Sequence, residues 1–124
     1  MKFDGYNFTP ELVKGLTQLG FKKPTDIQYK SISHIIKGDD VFAVAQTGTG
    51  KTIAYLLPIL QDLKFSKQLY PRVLILVPTR ELVIQVVEQI EKLTPYISIR
   101  VLGVYGGTNI KTQKKTIAQG IDII

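Results

Sequence analysis

The 124 residues contain no cysteine and only one histidine. Without thiols no disulfide forms, and the chain suits a reducing, cytoplasmic setting. The single histidine, His34, stands among Ile32, Ile35 and Ile36. It lacks the Cys or second His that a metal centre of that type needs, and it reads as helix surface or boundary. Long apolar runs are also missing. The longest purely aliphatic stretch, residues 73–77, is far short of the about 20 residues that cross a bilayer. The opening MKFDGYNFTP has no apolar core of signal-peptide length. There is no repeat, low-complexity tract or domain linker.

What is present is apolar and basic. Hydrophobic residues make up 44% of the chain, enough for one packed domain and too many for global disorder. The formal charge of +6 is uneven: residues 1–62 carry +1 and residues 63–124 carry +5. A basic half suits a polyanion such as nucleic acid, and equally a solvated surface tuned for solubility.

Thr9-Pro10-Glu11 reads as a helix start, with a capping hydroxyl, proline in the first turn and an acid at the positive end. Leu12, Val13, Leu16 and Leu19 form its apolar stripe, and Gly20 stops it. Thr25-Asp26-Ile27-Gln28 opens a second helix to about residue 37, ended by Gly38. Residues 41–45 read as a buried strand between Asp39-Asp40 and a glycine-rich loop. A helix over 50–63 follows, bent at Pro58. Then come a strand over 72–77, a helix over 79–93 and a strand over 99–105. After the Gly106-Gly107 turn, a lysine-rich surface helix spans 109–119 and a strand begins at 121–124. The alternation predicts an α/β fold, a parallel sheet with helices on both faces. Domains rarely stop on a bare buried strand, so the expectation is a truncated domain, part of something longer. Its uncovered apolar face favours self-association.

The glycine-rich loop is Ala45-Gln46-Thr47-Gly48-Thr49-Gly50-Lys51-Thr52. It has the Gly-Lys-Thr end of a phosphate-binding loop and lies between an expected strand and an expected helix, as that motif requires. Ala45 replaces the usual first glycine. Backbone N–H groups of residues 47–52 can converge on phosphate oxygens at a positive helix end. Gly48 and Gly50 allow the close approach. Lys51 would reach the β- and γ-phosphates, and the Thr52 hydroxyl would hold Mg²⁺. Gln28 allows two readings. Thr25 and Gln28 have the spacing of a capping box, and a planar amide also suits the donor–acceptor edge of adenine.

Residues 45–52, AQTGTGKT, match at every fixed position the loop of superfamily 2 helicases, Ala-x-Thr-Gly-x-Gly-Lys-Thr. Gly20-Phe21-Lys22-Lys23-Pro24-Thr25-Asp26-Ile27-Gln28 resembles the Q motif of DEAD-box RNA helicases, with Phe3 at the spacing of the isolated upstream aromatic. Pro78-Thr79-Arg80-Glu81-Leu82 resembles motif Ia of that family, and Gly106-Gly107 its paired glycines. The resemblance covers essentially the whole chain. It implies a Q-motif helical preface over 1–38 and, over 39–124, the N-terminal part of a first RecA-like domain that binds ATP. Gln28 would read adenine, Phe3 would stack on it or else plug the first helix, and Phe21 and Lys23 would shape the pocket. Thr25 would serve as cap. Pro78, Thr79, Arg80, Gly106 and Gly107 would meet the RNA backbone, whatever its sequence; a helix cap at Thr79 and a plain turn at Gly106-Gly107 are the structural alternatives. Lys111, Lys114 and Lys115 would form a solvated face. Val83 stands where the family has alanine in a closely packed helix.

The Asp-Glu-Ala-Asp box that positions the attacking water in this family does not occur in these residues, nor does the Thr-Pro-Gly-Arg loop. The expectation is therefore nucleotide binding without hydrolysis. Two other classes remain open: another adenine-specific loop enzyme, and a non-catalytic nucleotide- or RNA-binding module. A GTPase would need Asp-x-x-Gly and Asn-Lys-x-Asp sequences, and neither is present.

Overall fold

The computed structural model describes residues 3–46, 48, 50–63, 68–107 and 109–124. They fall into two compact units, Met1–Lys64 and Phe65–Ile124.

In the first unit a short 3₁₀ turn, Phe3–Tyr6, precedes three helices: α1 (Pro10–Gln18), α2 (Asp26–Ile36) and α3 (Lys51–Asp62). Local chemistry sets their ends. Pro10 takes the first helical position of α1, where no amide partner is needed. At its end Gly20 adopts φ +83°, its N–H meets the Thr17 carbonyl, and the Phe21 N–H reaches back to the Leu16 carbonyl. That is a complete Schellman closure, and Gly38 repeats it on α2 through the Ile35 and His34 carbonyls. Thr9 does not cap with its side chain; its N–H instead donates to Gln61 Oε1 at 2.8 Å. This ties the start of α1 to the end of α3. Leu12, Leu16, Ile32, Leu56, Leu57 and Leu60 are buried between the helices, each worth about 1.5–3 kcal/mol in apolar transfer. His34 lies on the surface, 3.3 Å from Asp39.

Residues 41–45 depart from expectation. They form no bridge with any described residue, and Phe42 and Val44 are 95% and 81% exposed. A parallel strand is buried only when neighbours flank both edges and helices cover both faces. Segment 41–45 has no strand neighbour among the described residues.

The second unit holds α4 (Arg80–Leu93) and α5 (Ile110–Ala118). Thr79 caps α4, its hydroxyl accepting from the Leu82 N–H at 3.1 Å. Asn109 caps α5 through the Lys111 and Thr112 amides. The strands expected over 72–77, 99–105 and 121–124 reduce to two parallel bridges, Val73 to Ile123 and Val101 to Ile123. The terminal segment therefore lies between the other two. No extended strand occurs among the described residues, and Leu74 and Leu76 stand exposed. Backbone bonds still run along the ladder: the Ile124 N–H donates to the Val73 carbonyl, the Ile75 N–H to the Ile124 carbonyl and the Leu102 N–H to the Ile123 carbonyl.

A charge holds the ladder. Asp122 is 3% exposed, and five donors converge on its carboxylate. Oδ1 accepts from Arg72 Nη2 at 2.9 Å, Arg100 Nη2 at 3.0 Å and Gln68 Nε2 at 3.1 Å. Oδ2 accepts from the Arg100 N–H at 3.0 Å and Arg100 Nε at 3.2 Å. Its backbone completes the register, accepting from the Arg72 and Val73 N–H groups and donating to the Arg100 carbonyl. Burial pushes the Asp122 carboxyl pKa up, but the bonds from Arg100, Arg72 and Gln68 outweigh burial and hold it well below the usual carboxylate range. A carboxylate held down in this way stabilises the fold above the unfolded pKa near 4, and that contribution fades as pH falls below it. Asp122→Asn should lower stability by about 3 kcal/mol at neutral pH, the low end for breaking a buried ion pair, since both arginines are part-exposed. It should also flatten the loss of stability below about pH 4. Urea denaturation followed by circular dichroism at several pH values checks both, and equal acid limbs in the two proteins would contradict the account.

Candidate functional site

In the first unit the phosphate-loop residues gather at the start of α3. Gly50 caps it in the left-handed region at φ +86°, and Gly48 sits at φ +83°. Lys51 and Thr52 are the first two helical residues, the first exposed and the second half-buried. Ala45 is half-buried and Gln46 exposed, while Thr47 and Thr49 lie outside the described residues. A cavity of about 310 Å³ opens beside the helix start, walled by Lys51 and Tyr55 of α3, Ile27 and Ser31 of α2, and Val41 and Ala43. Burial pushes the Tyr55 phenol up, and a hydrogen bond with the Thr52 side chain opposes it. Tyr55 was not singled out from the sequence; its only signal is its place three residues after Thr52, on the same helical face.

Gln28 connects this loop to α2. The side chain is 1% exposed. Its Oε1 accepts from the Thr25 N–H at 2.9 Å, and Thr25 and Gln28 form the reciprocal capping box. Its Nε2 donates to the Gly50 carbonyl at 3.1 Å. The contact requires glycine at 50, because a β-carbon there would collide with Gln28 Nε2. The capping alternative is therefore realised, and the same amide reaches the glycine-rich loop. One lone pair and one N–H are used in these bonds, leaving one of each.

Phe3 is buried, 4% exposed, and shares a cavity of about 340 Å³ with Phe21, Lys23 and the Leu16 side of α1. Thr25 lines a separate, shallower depression with Lys23, Pro24, Asp26 and Tyr29. The upstream aromatic, Phe21 and Lys23 are thus brought together, and Lys23 borders both hollows.

In the second unit the residues assigned to RNA also meet. Pro78 and Thr79 lead into α4, and Arg80 is its first residue; all three are exposed. Arg80 Nη2 donates to the Gly106 carbonyl at 3.1 Å, and the guanidinium lies over the Tyr105 ring, 5.4 Å from its centroid. Gln113 of α5 donates to the Tyr105 carbonyl at 3.3 Å. Tyr105 was missed from the sequence, because the tyrosines are scattered and form no stacking row. Lys111, Lys114 and Lys115 are all exposed on α5.

A family model described as DEAD/DEAH box helicase matches residues 25–124. The chain belongs to the DEAD/DEAH box helicase family. It is 39% identical over 123 residues to a protein named ATP-dependent RNA helicase DeaD from Buchnera aphidicola, covering 98% of this chain and 20% of that protein. It is 39% identical over 114 residues to the Escherichia coli protein of the same name, covering 91% of this chain and 18% of that one. A crystal structure of a DEAD box protein from the hyperthermophile Methanococcus jannaschii superimposes with a TM-score of 0.92 at 32% identity, over 100% of this chain and 34% of that one. The chain thus spans about a fifth of the length of these curated relatives. No helix among its described residues is long and apolar enough to cross a membrane.

The paired glycines of this family member are not equivalent. Gly107 sits at φ +83°, and a β-carbon there would lie 2.7 Å from Arg80 Nη2. Gly106 has ordinary φ and open space around it. Gly107→Ala should lower stability by about 1 kcal/mol and push Arg80 off the turn, whereas Gly106→Ala should leave the melting temperature within about 1 °C. Thermal melts of both variants check the asymmetry; equal melts would refute it.

Proposed function

We propose that this chain is the N-terminal part of the first RecA-like domain of an ATP-dependent DEAD-box RNA helicase, working in the cytoplasm. Within it the Q motif and the phosphate loop bind ATP. The exposed cluster of Pro78, Thr79, Arg80, Gly106 and Gly107 binds RNA backbone without regard to sequence. The observation that carries the reading is the Gln28 Nε2 bond to the Gly50 carbonyl. It links the residue that would read adenine to the loop that would cradle phosphates.

Gln28 would offer its remaining lone pair and N–H to the adenine edge, a pattern guanine does not match. Phe3, Phe21 and Lys23 would shape the base pocket, with Thr25 holding the α2 cap. Ala45, Gln46, Thr47, Gly48, Thr49 and Gly50 would wrap the phosphates, with Lys51 on the terminal ones. Thr52 offers a hard oxygen at the helix start, which fits Mg²⁺ held mainly by substrate phosphates; bound there, the ion would neutralise phosphate charge. Lys51 and Thr52 are the catalytic residues this segment would contribute. No Asp-Glu-Ala-Asp sequence is present to orient an attacking water. The 124 residues alone should therefore bind nucleotide without turning it over.

Calorimetry should show ATP binding and no GTP binding. Gln28→Glu keeps the acceptor for the Thr25 cap and removes the donor. It should weaken ATP at least tenfold, about 1.4 kcal/mol, with little change in helix content. ATP affinity equal to wild type would reduce Gln28 to a cap. RNA-stimulated phosphate release by the 124-residue chain would overturn the claim of inactivity and leave the nucleotide reading standing.

Exposed Phe42, Val44, Leu74 and Leu76 support a tendency to self-associate. Light scattering should report species larger than 13.9 kDa as concentration rises; a monodisperse monomer throughout would contradict this.

A further inference from the structure

We infer that Tyr105 is a positioning residue for RNA binding: its ring seats the Arg80 guanidinium, which joins the start of α4 to the Gly106-Gly107 turn as one phosphate-facing surface. The inference rests on the RNA reading above and adds to it a residue which that reading leaves without a role. Three contacts define the seat. The guanidinium carbon stands 5.4 Å over the ring centroid, within range for a cation on an aromatic face. Arg80 Nη2 donates to the Gly106 carbonyl at 3.1 Å. Gln113 Nε2 donates to the Tyr105 carbonyl at 3.3 Å, fixing the residue from the α5 side.

A guanidinium carries five N–H donors in a rigid plane. Here one is given to the turn while Arg80 as a whole stays exposed. Stacking on a flat ring fixes the plane of the fork, so the other donors meet a phosphate without first being ordered. The turn lies close against the guanidinium, since a β-carbon at Gly107 would come within 2.7 Å of Arg80 Nη2. An uncharged residue thereby controls a charged contact.

The test uses the 124-residue chain and a fluorescein-labelled single-stranded oligouridylate, with anisotropy titrations across salt concentrations. Tyr105→Leu should weaken binding roughly fivefold. It should also lower the slope of log affinity against log salt by about 0.7, the loss of one phosphate contact on a single strand. Tyr105→Phe, which keeps the ring, should bind within about twofold of wild type. Arg80→Ala should lower the slope by the same about 0.7, and the double variant should match Arg80→Ala alone. An unchanged slope in Tyr105→Leu, or additive losses in the double variant, overturns the seating role while RNA binding by the wild type stands. If the wild-type chain binds no oligouridylate at all, the RNA reading fails and the seating role falls with it.

Discussion

The hydrogen bond from Gln28 Nε2 to the Gly50 carbonyl joins the starts of α2 and α3. Its setting makes it hard to replace. Gly50 must be left-handed to turn the loop into the helix, and it must lack a β-carbon to admit the amide. Gln28 is fixed by the Thr25 N–H, so the amide cannot rotate away without opening the α2 cap. Removing the amide would cost this part-buried hydrogen bond, about 0.5–1.5 kcal/mol, in addition to the lost cap. Lys51 and Thr52 follow Gly50 directly and inherit whatever orientation this bond sets. A group that enters the Q motif and disturbs Gln28 therefore changes the helix start that would hold phosphates.

The second unit solves a related problem with charge. Its ladder has two bridges among the described residues, and the backbone bonds around them set a register. Asp122 fixes it by drawing Arg72 from one flanking segment and Arg100 from the other. A buried ion pair is weak evidence of stability in general, because desolvation offsets attraction. Here five donors meet one carboxylate, and Arg100 binds it through both its guanidinium and its own N–H. That geometry satisfies the lone pairs and makes any shifted register leave an unmatched buried charge. The gain is specificity of pairing more than net energy.

Helix boundaries were legible because their signals are local. Thr79 and Asn109 cap where their side chains allow it, and Gly20, Gly38 and Gly120 take positive φ just past their helices. The structure also brings Thr25, Gln28 and Gly50 together, and Arg80 with Gly106. The strands were not legible. Residues 41–45 read as buried because they are apolar, but burial of a parallel strand is a property of its neighbours, and none is paired with it among the described residues. Asp122 is one polar residue within 121–124, and its role depends on residues 22, 50 and 54 positions away. Phe3 left two possibilities open, and its burial shows that it fills space beside α1, whatever else it does.

Val83 illustrates how a departure from a family pattern can be absorbed. A valine where the family has alanine should hold α4 away from whatever it packs against. Gly103 lies opposite, and a β-carbon there would come within 2.8 Å of Val83 Cγ1 and 3.0 Å of Val87 Cγ2. The missing side chain on one segment makes room for the extra methyl groups on the other, so helix and segment still meet at backbone distance. This contact lies one turn along α4 from Arg80 and a few residues before Gly106. It therefore sets the separation that Arg80 must span to reach the Gly106 carbonyl. Val83 and Gly103 thus pack beside the residues that carry Arg80 and Gly106, and the guanidinium lies over the Tyr105 ring.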